Sequence, residues 1–255
     1  MDIFKHFDIY NLKARVFPAL IAGLPTLALL FVIVPWDHLG ISHAIAGAMG
    51  FVLLFAFADL ARHRGKTIEA KLASNATPKQ WHRGNPDIPE GSKDRFRAFI
   101  AVQLKLTAPT AIDEQTDPHR ADDFYLTANA WIRDRTRDAR IYNILFAENV
   151  TYGHRRNLLG LKPIGLLLNI IVLTICAGII CLNPSYFVAL SNITEKLVII
   201  IIAVVLHSVY LLYAVNKKAV FDASRVYGRQ LILSCDTLMK KPPAAPRKAK
   251  AGSDA

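Results

Sequence analysis

Residues 197–215 read LVIIIIAVVLHSVYLLYAV, an apolar run without a formal charge. At about 1.5 Å per residue a helix over this run covers nearly 30 Å, the hydrocarbon thickness of a bilayer. A soluble core helix keeps a polar face, and this run has none. The segment is therefore read as a transmembrane helix. Three further runs share its character, at 18–36, 43–60 and 163–182. Short polar stretches separate the first from the second and the third from the fourth. The expected fold class is all-α: a polytopic membrane protein with four transmembrane helices in two hairpins and a cytoplasmic helical insert between them.

The charged residues are segregated from these runs. Residues 61–162 hold most of the acidic and basic side chains and are expected to form the helical insert. Within it, 62–74 continue the second span as a helix, and Ser92 is expected to cap a helix running to about residue 106. Asp117-Pro118 is a strong helix start, an acidic cap followed by proline at the first helical position. That helix carries Ala121, Phe124, Tyr125, Ala128, Trp131 and Ile132 on one face. Residues 1–17 space Ile3, Phe7, Tyr10, Ala14 and Phe17 as one helical face and predict an uncleaved amphipathic helix. Residues 216–241 predict a basic cytoplasmic helix, and 242–255, PPAAPRKAKAGSDA, a disordered tail.

Inside the spans, Pro18, Gly23 and Pro25 predict a kink or an adjusted first turn. Trp36 suits an interface, and Ser42 can cap the second span. Ala44 with Ala48, and Ala46 with Gly50, have the spacing that lets helices approach closely. Asn192 with Glu195 predicts a capping box for the fourth span. Basic residues beside the spans (Arg62, Arg64, Lys66, Arg155, Arg156 and Lys162) place both termini and residues 61–162 in the cytoplasm by the positive-inside rule. The expected location is the cytoplasmic (inner) membrane.

The net charge of +11 is assigned to this topology and to anionic lipid head groups, not to nucleic acid. The three cysteines make no disulfide framework, and none stands with a histidine at metal-ligand spacing. No metal and no cofactor is expected. The chain has no HExxH, Walker A, GxGxxG or GxSxG sequence, and no catalytic residue is assigned.

Two basic groups are candidates for an anionic ligand or lipid head group. Arg133, Arg135, Arg137 and Arg140 lie in WIRDRTRDAR, where Asp134–Arg137 and Arg135–Asp138 form i,i+3 pairs on a continued helix. Arg155 and Arg156 stand just before the third span, where Gly153 and Gly160 are read as bends that let the chain enter the bilayer. Asp59 is read as a boundary residue able to reach Arg62, with an ion-binding role as its alternative. Asn169 lies about 9 Å and His207 about 12 Å inside the cytoplasmic membrane surface at helical rise. The loop joining their spans is short, so both are expected to point into the bundle and to hydrogen-bond.

The functional expectation is a non-enzymatic, oligomeric membrane effector or signal-coupled pore, of the kind found in bacterial defence. Its cytoplasmic helical domain would answer an anionic small molecule or a cytoplasmic protein partner. A small transporter or channel and an accessory scaffold subunit are the alternatives.

Overall fold

A computed structural model describes residues 9–34, 43–72, 77–188 and 192–240. Residues 1–8, the turn with Trp36 and Ser42, and the tail at 242–255 lie outside the described residues. Every regular element among the described residues is a helix. In chain order these are α1 (Ile9–Ile33), α2 (His43–Leu72), α3 (Thr77–Trp81), α4 (Glu90–Leu104), α5 (Ala111–Thr116), α6 (Pro118–Arg135), α7 (Asn143–Leu182), α8 (Ser185–Val188), α9 (Ile193–Tyr213), α10 (Lys217–Leu233) and α11 (Cys235–Lys240).

Two compact units divide the chain. An apolar unit comprises Met1–Ala76 and Ala147–Val226; a polar unit comprises Thr77–Phe146 and the residues from Tyr227. The polar unit is thus narrower than 61–162 and includes part of the C-terminal segment. Its boundaries fall inside α7 and α10.

Among the described residues, three helices are long and apolar enough to cross a membrane: α1, α7 and α9. Apolar residues at 43–60 lie in α2, which exposes Ile45, Met49, Phe51, Val52 and Leu53. The helix continues through Leu72, as the polar residues after 60 suggested.

Helix α1 has no break at residue 17. It is one helix from Ile9 to Ile33 with a π-helical segment at Leu12–Val16, where the Phe17 N–H donates to the Leu12 carbonyl. Proline explains this wide turn. Pro18 has no N–H to close a regular turn on Ala14, so the ladder shifts by one residue.

Helix α7 is also unbroken. Pro163 lies inside it, and it begins twenty residues before the apolar run. Gly153 and Gly160 are therefore not bends. They are crossing points: a Cβ on Gly160 would lie 2.7 Å from Arg64 C and 2.8 Å from Gly65 N, and one on Gly153 would lie 3.1 Å from Ala14 Cβ. Glycine lets the backbones approach to this distance. A third crossing sets Gly165 against Ala22. Of the small-residue pairs on α2, Ala44 and Ala46 lie outside the described side chains, and a Cβ on Gly50 would meet nothing within 4 Å.

Two helix ends differ from expectation. Ser92 lies inside α4, which starts at Glu90 after Pro89. Asn192 adopts a left-handed conformation (φ 54°) and makes no side-chain cap, so the capping box with Glu195 does not form. Asp117 does cap α6: its carboxylate accepts from the Arg120 N–H at 3.1 Å, with Pro118 in the first turn.

The apolar unit packs in layers. Val16, Ala19 and Ala22 of α1 meet Ala58 and Ala61 of α2 and Leu161 of α7. Leu158 lies with Leu211 and Val215. Further along, Leu29 packs with Val172, Cys176, Leu197 and Val204. The polar unit has its own core, in which Trp81, Phe96, Ile100, Phe124, Tyr125 and Ile132 pack with Leu231, Ile232 and Cys235.

Candidate functional site

Polar contacts inside the apolar unit follow from defects in α1. The π segment frees the Lys13 and Ala14 carbonyls, and α7 satisfies both from one face. His154 Nδ1 donates to Lys13 O at 3.0 Å, and the buried Asn157 donates to Ala14 O at 2.6 Å. Beside them, Arg156 pairs with Glu69 of α2 at 2.5 Å and lies over the Tyr152 ring, whose hydroxyl donates to the same carboxylate at 2.9 Å. Lys162 Nζ donates to the Leu212 and Val215 carbonyls at 3.0 and 2.9 Å, a cation on the C-terminal carbonyls of α9. Arg155 donates to the Ala219 carbonyl at 3.1 Å. Of the two arginines read as head-group ligands, Arg156 is thus held in an ion pair and Arg155 is exposed.

Asn169 and His207 are brought together. His207 Nδ1 lies 3.2 Å from Asn169 Oδ1, and Asn169 Nδ2 donates to Ser208 Oγ at 2.7 Å. Asn169 is 2 % and His207 9 % exposed. Ser208 escaped sequence reading, although its place next to His207 was a signal. The Tyr210 ring stacks 6.5 Å from the imidazole. Asp59 is exposed on α2 and lines a cavity of about 130 Å³ with Asn11, Arg15 and Phe55.

The four arginines of the polar unit do not converge. Helix α6 ends at Arg135, and Thr136 leaves the helical conformation (φ −106°, ψ 24°). Asp138 therefore no longer sits above Arg135. Arg135 instead stacks on Trp131 at 4.1 Å, and Arg137 pairs with Asp134 at 2.8 Å. Arg133 donates to the Asn129 carbonyl at 3.3 Å, and the Arg140 N–H donates to Asp138 at 2.9 Å. All four are exposed.

The dense charge cluster of this unit lies elsewhere, in residues that the sequence did not single out. Lys93 is fully buried, and its ammonium donates to the His82, Arg83 and Asn85 carbonyls at 2.6, 3.3 and 2.9 Å and pairs with Glu90 at 2.8 Å. One turn on, the buried Arg97 donates to the Trp81 carbonyl at 2.5 Å, to Asp94 at 2.7 Å and to Glu90. The two cations hold the turn at 82–89 against α4. Arg83 then reaches Glu114 at 2.7 Å, and Tyr125 donates to the same carboxylate at 2.5 Å. Burial pushes the Glu114 carboxyl up, but the Tyr125 hydroxyl and Arg83 outweigh it and hold the group below its ordinary range. His82 lies between Asp122 at 2.7 Å and Glu114 at 3.6 Å.

The polar unit carries an open cleft of about 430 Å³ whose lining includes Lys105, Thr107, Asp113, Arg120, Asp123 and Phe124. It offers two cations and two carboxylates, a surface suited to a polar or charged ligand. No group of three or more His, Cys, Asp or Glu side chains could hold a metal ion among the described residues. Comparison with protein families, with curated proteins and with solved structures finds no match to this chain.

Proposed function

We propose that this chain is a non-enzymatic integral membrane protein that acts as an oligomer, a membrane effector or signal-coupled pore governed by its polar helical unit. One observation carries the reading. The apolar windows of α1, α7 and α9 are only 33 %, 28 % and 28 % buried within the chain. Most of that surface needs lipid or further copies to cover it. The apolar part of α2 also exposes Ile45, Met49, Phe51, Val52 and Leu53, and it serves as a fourth span in this reading. Both termini and the polar unit then lie in the cytoplasm of a cell with the protein in its inner membrane.

The polar unit receives the signal in this reading, and its cleft with Lys105 and Arg120 suits an anionic small molecule. The exposed arginines Arg133, Arg135, Arg137 and Arg140 suit a protein partner or anionic head groups. A small transporter is the second reading, favoured by the buried polar group of Asn169, His207 and Ser208 at membrane depth.

Two measurements test these readings together. The full chain in lipid nanodiscs is weighed by native mass spectrometry, and cells expressing it are followed with a membrane-potential dye. The proposal expects an oligomer, with depolarisation that is lost when Lys105 and Arg120 are both replaced by Gln. A monomer that leaves the potential unchanged defeats it. Depolarisation indifferent to that double substitution favours the transporter.

A further inference from the structure

The π turn of α1 at Leu12–Val16 carries Arg15. Single wide turns of this kind are frequent at functional sites. Beside this one lies a cavity of about 130 Å³, with Asn11, Arg15 and Val16 on the α1 wall and Phe55, Ala58 and Asp59 on the α2 wall. One guanidinium and one carboxylate thus line the same space. They do not pair with each other, and among the described residues neither makes a hydrogen bond or ion pair with any other group. Arg15 is half-buried and lies over the Tyr10 ring at 5.7 Å. Its planar fork of N–H donors is costly to leave unused where water is partly excluded. Arg155, Arg156 and Lys162 of α7, by contrast, all have partners within the chain.

Both charges stand where the apolar runs of their helices end, Arg15 before Pro18 and Asp59 beside Leu60. With α1 and α2 as spans, that is the level of the lipid head groups. Towards the apolar ends of the helices, Val16 continues at helical spacing to Leu20 and Leu24, and Asp59 to Phe55 and Val52. Leu24 is 58 % and Val52 66 % exposed. A ligand with a charged head between Arg15 and Asp59 therefore finds open apolar surface for a tail.

We propose that this cavity binds the head group of phosphatidylethanolamine. The lipid phosphate takes the Arg15 fork, which suits two parallel hydrogen bonds to phosphate oxygens. The ammonium, a short ethanolamine link away, donates to the Asp59 carboxylate. Phosphatidylcholine lacks that bond, because its quaternary nitrogen carries no hydrogen. Phosphatidylglycerol leaves Asp59 facing a phosphate with no cation between them. The site rests on the membrane placement proposed above and not on the oligomer or the pore.

Native mass spectrometry of the full chain tests this, after reconstitution in nanodiscs of equal parts dioleoyl phosphatidylethanolamine, phosphatidylcholine and phosphatidylglycerol. The unaltered chain is expected to retain the ethanolamine lipid over the choline lipid by at least about fivefold. Asp59→Asn should bring the two lipids to equal retention, and Arg15→Gln should lower retention of both. Equal retention by the unaltered chain overturns the proposal, as does a preference for phosphatidylglycerol or an ethanolamine preference that survives Asp59→Asn. If Arg15→Gln does not fold, the Asp59→Asn ratio decides alone, since that side chain is exposed and bonds to nothing in the chain. A chain that stays out of the nanodisc defeats the membrane reading and this site with it. A monomer that keeps the ethanolamine lipid defeats the oligomer alone and supports the site.

Discussion

Replacing Gly160 by alanine isolates the closest helix crossing in the apolar unit. The new methyl would lie 2.7 Å from Arg64 C, 2.8 Å from Gly65 N and 3.0 Å from Arg64 Cβ. Ordinary carbon contacts are about 3.5–4.0 Å, so the methyl is short of room by nearly 1 Å. Two of the obstructing atoms are backbone and cannot swing aside. Helices α7 and α2 must separate, and overpacking of this kind costs about 1–3 kcal/mol. Alanine returns up to about 1 kcal/mol of helix propensity, which leaves a net loss of about 1–2 kcal/mol. Two glycines of the same helix calibrate the argument. At Gly178 a Cβ meets nothing within 4 Å, so Gly178→Ala should stabilise by a few tenths to about 1 kcal/mol. At Gly165 the nearest atom is the mobile Leu211 Cδ1 at 3.0 Å, and Gly165→Ala should fall between the two. Unfolding of the full chain in detergent, followed by helical circular dichroism, gives the order. Equal stability of Gly160→Ala and Gly178→Ala would falsify the close crossing.

Further perturbations address the polar unit. Lys93→Met leaves three buried carbonyls without their cation and should cost about 3 kcal/mol, seen as faster amide exchange at 82–89; unchanged protection there counts against the capping role. Glu114 titrates below its ordinary 4.5, so its contribution is present above that pH and is lost as pH falls through the lower folded value. Glu114→Gln should therefore flatten the acid dependence of this unit's stability, and an unaltered acid profile would contradict the geometry. Replacing Arg133, Arg135, Arg137 and Arg140 together by Gln should change stability little, within about 0.5 kcal/mol per site, because all are exposed; a large loss of melting temperature would mean that they are structural. Burial pushes the Cys235 thiol up to about 12, so maleimide should leave it unlabelled at pH 8 until the polar unit unfolds.

Some of this protein is written in local sequence, because helical rise and periodicity need no partner. The apolar runs, the Asp117-Pro118 start and the buried face of Ala121, Phe124, Tyr125, Ala128 and Ile132 all follow from spacing along one chain. So does the meeting of Asn169 and His207: a fixed rise per residue and a short loop set both at one depth. Tertiary structure alone decided the rest. Lys93 and Arg97 look in sequence like the solvated face of a charged helix. Their burial depends on carbonyls of the turn at 81–85, whose path no local pattern specifies. Four arginines within eight positions suggest a cluster, yet one turn of backbone at Thr136 disperses them. Gly153 and Gly160 read as bends at a membrane surface, but α7 continues unbroken through both, since neighbouring helices pack around the glycines. Pro18 shows the division most clearly. Sequence places the missing N–H group, and only the packed bundle determines that Asn157 fills the gap.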